Sequence, residues 1–124
     1  MTTIIVGVDG SPSSEGALDW ALEEAALRRA RVVALAVSPL PWSLGYEPTS
    51  SVDREHIAAE RRAEVEAAVA ASRARVGAAA DLEVEAHVQL DERPAFVLIT
   101  AAAEADLLVV GSRGRGGFRG LLLG

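Results

Sequence analysis

Apolar and polar positions follow one another in blocks that predict four strands and three helices. Three apolar runs rich in Val, Leu and Ile, at 3–9, 31–37 and 106–110, are typical of buried strands. Apolar residues at helical spacing predict helices over 13–29, 52–76 and 94–104. Ser11 is placed to cap the first helix, with Pro12 at its first position.

The remaining strand, predicted over 82–90, alternates strictly between apolar residues and the polar Glu83, Glu85, His87 and Gln89. Such alternation predicts a strand with one wet face at the edge of a sheet. The other three strands are expected in the sheet interior. A β-α-β-α-β-α-β order implies right-handed crossovers, an open parallel sheet of α/β class and helices on both faces. We therefore predict the strand order 3-2-1-4.

Composition narrows the function classes. The chain has 124 residues, a formal charge of −6, no cysteine and no lysine. Its length indicates one domain, and no run approaches the roughly 20 apolar residues of a membrane span. The first residues lack the pattern of a secretory signal, so we expect a cytoplasmic protein without a membrane partner. Because phosphate backbones require a basic face, the acidic balance argues against nucleic acid as a partner.

The last fourteen residues differ from the rest of the chain. Residues 111–124 carry three arginines and no acid, among several glycines, directly after the fourth predicted strand. Glycines let a backbone approach an anion closely, and guanidinium groups bind phosphate. Asp9 ends strand one and Gly111 follows strand four, which meet at the switch point of the predicted sheet. The sequence thus predicts a phosphate-bearing ligand there.

Less specific interpretations of these residues stay open. Asp9 can serve as a turn or cap acid before Gly10 and Ser11. The arginines can belong to a solvated tail. His56 and His87 have no metal ligands at suitable spacing, so no metal site is predicted. No paired nucleophile and base is visible, so no catalytic residue is predicted either.

Three segments resemble the universal stress protein family, of the UspA-like type, over essentially the whole chain. They are IIVGVDGSP at 4–12, VVALAV at 32–37 and DLLVVGSRG at 106–114. The ATP-binding branch of that family has Gly-x2-Gly-x9-Gly followed by Ser or Thr, and Gly111, Gly114 and Gly124 fit its glycines. The family pattern continues with a helix and a fifth strand, giving the order 3-2-1-4-5 of an adenine nucleotide alpha-hydrolase-like fold. The resemblance therefore implies one domain, residues 1–124, that is incomplete at its C-terminus.

The resemblance implies a site for ATP, with or without Mg²⁺. Matching positions beside the adenine, ribose and phosphates are Gly7, Val8, Asp9, Val37, Val110, Gly111, Arg113, Gly114, Arg115 and Gly124. Val37 would hold the adenine, and the glycines and arginines from 111 onward would lie around the ribose and phosphates. The sequence departs from the family pattern at one point: the Ser or Thr that follows the last glycine, and that would donate to the terminal phosphates, is not in the sequence.

The resemblance also implies a stress-response regulator that acts through nucleotide-dependent homodimerisation or a protein partner, and not an enzyme. Slow ATP hydrolysis or autophosphorylation stays compatible with this interpretation. The alternative is a nucleotide-using enzyme of the same architecture, such as an adenylating or nucleotidyl-transferring protein. A phosphoacceptor receiver domain is disfavoured because it needs a late lysine, and the chain has none.

Overall fold

The computed structural model describes residues 2–39 and 51–112, with side chains left out at 51–53. The elements are β1 Thr3–Gly7, α1 Pro12–Arg28, β2 Arg31–Ser38, α2 Ser51–Val76, β3 Val84–Leu90, α3 Pro94–Ala102 and β4 Leu107–Val109. Their order and type agree with the sequence prediction. Most of the proline-rich segment between β2 and α2 lies outside the described residues.

The four strands form one parallel sheet in the order β3-β2-β1-β4, which confirms the predicted topology. In register, Ile5 of β1 pairs with Val33 of β2 and with Leu108 of β4. One apolar cluster lies between the sheet and helices α1 and α2, and a second lies between the sheet and α3. The fold is therefore an open α/β sheet with helices on both faces.

The start of α1 is fixed by three side chains. Ser11 is the N-cap and its hydroxyl accepts a hydrogen bond from Ser14 N, at 3.2 Å, as the sequence predicts. Pro12 follows as the first helical residue, where its missing N–H costs nothing. The buried Ser14 hydroxyl donates back to Ser11 O at 3.1 Å. These bonds place the turn that follows β1 directly against the first turn of α1.

Helix α2 is held to α1 by a polar clamp as well as by apolar packing. The fully buried Ser72 donates to Asp19 Oδ1 at 2.5 Å, and Arg75 binds both oxygens of the same carboxylate. Val65 and Val69 of α2 are buried in the first apolar cluster. Gly77 ends the helix in the left-handed region, with φ of 65°. Helix α2 is thus fixed above β2 and β3. This placement determines which strand ends the side chains of its N-terminal half can contact.

Strand β3 is an edge strand, as its alternating pattern predicts: Ala86 is buried and His87 is exposed. Strand β4 is the other edge of the sheet that the described residues form, and it is half-buried. The predicted order 3-2-1-4 places it there, and its apolar run is typical of a strand that a further strand covers, as the family pattern implies.

Within the described ranges, no helix combines the length and apolar character needed to cross a lipid bilayer.

Candidate nucleotide site

A cavity of about 790 Å³ lies beyond the carboxyl ends of β1 and β2, beside α2. Its described lining consists of Val8, Asp9, Gly10, Ala36, Val37, Ser38, Pro39, Arg61, Glu64, Val65, Ala68, Asp91, Glu92 and Pro94. In open parallel sheets ligands bind outside the carboxyl ends of the strands, at the point where the strand order reverses. The cavity lies at this edge of the sheet, but on the β2 side of β1 and not at the predicted switch point between β1 and β4. Its volume falls within the range of small-molecule sites, roughly 300–1,000 Å³.

Asp9 contributes a turn and a carboxylate to this cavity. Its Oδ1 accepts hydrogen bonds from Ser11 N at 2.9 Å and from Ser11 Oγ at 2.5 Å. Asp9 N donates to Ser14 Oγ at 3.3 Å, a long bond. Asp9 therefore has the turn role that the sequence analysis leaves open as an alternative. Because Asp9 also lines the cavity, the turn holds its carboxylate in place beside any ligand there.

Aliphatic residues form part of the cavity wall. Val8 and Ala36 are buried at the strand ends, and Val65 is 3% exposed on α2. Val37 is the second-last residue of β2 and pairs in register with Gln89 of β3. Beyond it, Asp91 N donates to Ser38 O at 2.9 Å, which ties the two strand ends together. These walls can cover the faces of a flat heterocycle.

Several lining residues were missed by the sequence reasoning. Arg61 and Glu64 reach the cavity from α2, and Asp91 and Glu92 reach it from the turn before α3. Arg61, Val65 and Ala68 share the i, i+4, i+7 spacing of one helix face, so the sequence places Arg61 on the same face of α2 as the apolar Val65 and Ala68. The spacing does not show that this face reaches a cavity.

The charges of this lining are unbalanced. It carries four carboxylates, from Asp9, Glu64, Asp91 and Glu92, against the single guanidinium of Arg61. Hydrogen bonds from the side chain and the backbone N–H of Arg93 lower the pKa of the Asp91 carboxyl, which favours its ionised form. Carboxylates accept hydrogen bonds from hydroxyl and amino groups, so the lining suits the uncharged part of a polar ligand.

The structure brings together three of the sequence-predicted residues: Val8, Asp9 and Val37 all line the cavity. Gly7, Val110 and Gly111 lie outside its described lining. Gly7 pairs with Leu35 inside the sheet, and Val110 packs against the second apolar cluster. Gly111 is buried against α1. The remaining four, Arg113, Gly114, Arg115 and Gly124, lie outside the described residues.

Each histidine lies within hydrogen-bonding distance of a glutamate on its own element. His56 lies 2.9 Å from Glu60 on α2, and His87 lies 3.2 Å from Glu85 on β3. In the ranges 2–39 and 51–112, no three residues of His, Cys, Asp or Glu type come together as a metal ion would require. The absence of a metal site stays a prediction.

An open parallel α/β sheet with a cavity at its strand ends defines a class of ligand-binding domains that is broader than one family. Sequence comparison narrows it: residues 1–124 match the model of the Universal stress protein family. The chain belongs to that family.

Individual relatives agree. A universal stress protein of Mycolicibacterium smegmatis is 38% identical over 122 residues, which is 98% of this chain and 39% of the relative. The chain thus spans about two fifths of the length of the curated relatives it matches.

Solved structures agree as well. The universal stress protein UspA from Lactobacillus plantarum has a TM-score of 0.67 at 20% identity, covering 99% of this chain and 85% of that chain, which supports the fold alone. A universal stress protein in complex with cAMP has a TM-score of 0.61 at 27% identity, covering 99% and 84%.

Proposed function

We propose that the chain binds an adenine nucleotide in the cavity at the carboxyl ends of β1 and β2. The observation that carries this proposal is that Val8, Asp9 and Val37, from two separate segments, line one cavity of suitable size. Val8 and Val65 offer aliphatic contact to the base, and Val37 lines the cavity at the end of β2, with its side chain packed against the second apolar cluster. The Asp9 carboxylate is an acceptor for ribose hydroxyl groups.

The ligand of one relative supports the choice of an adenine compound. The related universal stress protein that was solved with cAMP is 27% identical to this chain over nearly its whole length. ATP is the nucleotide that the glycine and arginine pattern of 111–124 favours, with or without Mg²⁺. The base and ribose would occupy the cavity, and the phosphates would extend toward Gly111 and the residues after it.

We further propose that the nucleotide regulates the protein and is not its substrate. Serines and acids among the described residues serve turns, caps and helix contacts, and the sequence offers no paired base and nucleophile. Nucleotide occupancy would then change homodimerisation or the binding of a protein partner. Incubation with ATP and quantification of ADP tests this, since steady turnover of many equivalents would instead support the enzyme alternative.

Calorimetric titration with ATP, cAMP, adenosine and GTP tests binding itself. We expect the adenine compounds to bind and GTP to bind at least tenfold more weakly, a difference of about 1.4 kcal/mol. Failure of every adenine compound to bind would overturn the proposal.

Asp9→Asn is the most informative variant for the ribose contact. It keeps an Oδ1 acceptor for Ser11 and removes only the charge, so its melting temperature should stay near that of the wild type. Adenosine should bind more weakly to this variant, because ribose hydroxyls donate less strongly to an amide than to a carboxylate. Unchanged adenosine binding would assign Asp9 to the turn alone.

A further inference from the structure

Arg61 is the one cation among the described residues that line the cavity. It lies on α2, one helical turn before the buried Val65. Its Nε donates to Ser38 Oγ at 3.4 Å, a long bond, and its Nη1 donates to Glu64 Oε1 at 2.7 Å. The side chain is thus held between its own helix and the end of β2, and it is 43% exposed.

The bonds of Arg61 leave part of its donor capacity for a ligand. A guanidinium has five N–H donors in a rigid planar fork. Two of them, on Nε and Nη1, are engaged by Ser38 and Glu64. Because Nε and Nη1 are both held by hydrogen bonds, the other N–H donors of the guanidinium are already fixed in position for a bound ligand.

The charges around Arg61 determine which part of a nucleotide its remaining N–H donors can contact. Glu64 already neutralises the guanidinium at 2.7 Å, and Asp9, Asp91 and Glu92 add three more negative charges to the lining. A phosphate group carrying one or more negative charges is repelled from such a lining. A neutral heterocycle is not, and its ring nitrogens are hydrogen-bond acceptors that fit N–H donors.

We propose that Arg61 is a specificity-determining residue that donates a hydrogen bond to a ring nitrogen of the bound purine. This rests on the proposed function, because it assumes that a nucleoside base occupies the cavity. In this arrangement Val8 and Val65 contact the faces of the base, and Arg61 contacts its edge. The Ser38 hydroxyl and the Glu64 carboxylate act as positioning groups that hold the guanidinium toward the ligand.

The test compares Arg61→Met with Arg62→Met. Both variants remove one positive charge from the same helix, and Arg62 is the matched control because it is exposed and pairs with Glu66 at 3.2 Å. Arg61→Lys keeps the charge without the planar fork, and it serves in place of Arg61→Met if that variant does not fold. Each protein is titrated with adenosine and with its 1-deaza, 3-deaza and 7-deaza analogues, in which one ring nitrogen is replaced by C–H.

We expect Arg61→Met to bind adenosine about tenfold more weakly than the wild type, as for a lost hydrogen bond to a charged donor. One deaza analogue should bind both proteins equally, because the nitrogen that Arg61 contacts is absent from it. Arg62→Met should bind every ligand as the wild type does.

The inference is overturned if Arg61→Met binds adenosine like the wild type, or weakens adenosine and all three analogues by the same factor. It is also overturned if the variant weakens ATP and leaves adenosine unchanged, since Arg61 would then contact phosphate. A wild-type protein that binds none of the adenine compounds refutes the proposed function itself. That result is distinct from the others.

Discussion

Gly111 packs so closely against Ser13 that no side chain can be accommodated at position 111. A Cβ atom placed on Gly111 would lie 2.5 Å from Ser13 Oγ, 2.7 Å from its carbonyl carbon and 2.8 Å from its carbonyl oxygen. Two of these three atoms belong to the backbone of the first turn of α1, which rotation of a side chain cannot move. Gly111, the second residue after β4, is therefore fixed against the first turn of α1, close to the N-cap residue Ser11.

Gly111→Ala should destabilise the protein by about 1–3 kcal/mol, the usual cost of forcing extra atoms into a packed site. Gly16→Ala is the matched control. Gly16 lies within α1 with nothing within 4 Å of its added Cβ, so this change should stabilise the protein by about 0.5–1 kcal/mol. Urea unfolding of the three proteins measures both effects. Equal stability of Gly111→Ala and the wild type would contradict the close packing.

Asp19 should make the stability of the α1–α2 contact depend on pH. Hydrogen bonds from Arg75, more than any other cause, lower the pKa of the Asp19 carboxyl in the folded protein. Its unfolded pKa is about 3.9, so the carboxylate stabilises the fold above that pH, and this contribution is lost as the pH falls through the lower folded pKa. Asp19→Asn should therefore be less stable than the wild type at pH 7, by a difference that narrows below about pH 4.

Two variants complete the test of Asp19. Arg75→Met removes the main hydrogen-bond partner of Asp19. Its free energy of unfolding should therefore be lower than that of the wild type at pH 7, by a difference that also narrows at low pH. Arg62→Met removes an exposed arginine of the same helix, whose ion pair is worth only about 0–1 kcal/mol, and should change the acid profile little. Urea unfolding between pH 2.5 and pH 7 measures all four proteins. A pH-independent difference between Asp19→Asn and the wild type would contradict the role of the charge.

The features that the sequence predicted well are those set by local patterns. Period-two alternation identified β3 as an edge strand, and Ser11 followed by Pro12 identified the start of α1. The topology predicted a site between the ends of β1 and β4, and the cavity shares only the end of β1 with that prediction. Val37, at the end of β2, was predicted from the family resemblance.

The features that the sequence did not predict depend on tertiary placement. Whether Arg61 reaches the cavity depends on how α2 crosses β2 and β3, which helical spacing does not encode. The sequence predicts that Gly111 lets a ligand approach, which stays a prediction; its close packing on Ser13 was not predicted. Both roles require the absence of a Cβ, so a glycine in the sequence cannot distinguish them.

Replacing Arg113 and Arg115 together by alanine should separate phosphate binding from base binding. Both arginines lie outside the described residues, and their expected role comes from the sequence. If they contact the phosphates, ATP affinity should fall by about tenfold or more, while adenosine affinity stays unchanged. Arg28→Ala with Arg62→Ala is the control, since it removes the same charge from exposed helix positions. Equal losses for ATP and adenosine would argue against phosphate contact.

Filling the cavity from α2 should block the nucleoside without unfolding the protein. Ala68 is half-buried and lines the cavity, whereas Ala71, three residues further along the same helix, is exposed. Leucine is nearly as good a helix former as alanine, so Ala68→Leu and Ala71→Leu should cost little in helix propensity. Only the first places three additional carbon atoms in the space proposed for the base. We expect adenosine affinity to fall about tenfold or more in Ala68→Leu and to stay unchanged in Ala71→Leu, by calorimetry, with thermal melts confirming that both fold. Wild-type affinity in a folded Ala68→Leu protein would show that the nucleoside binds elsewhere.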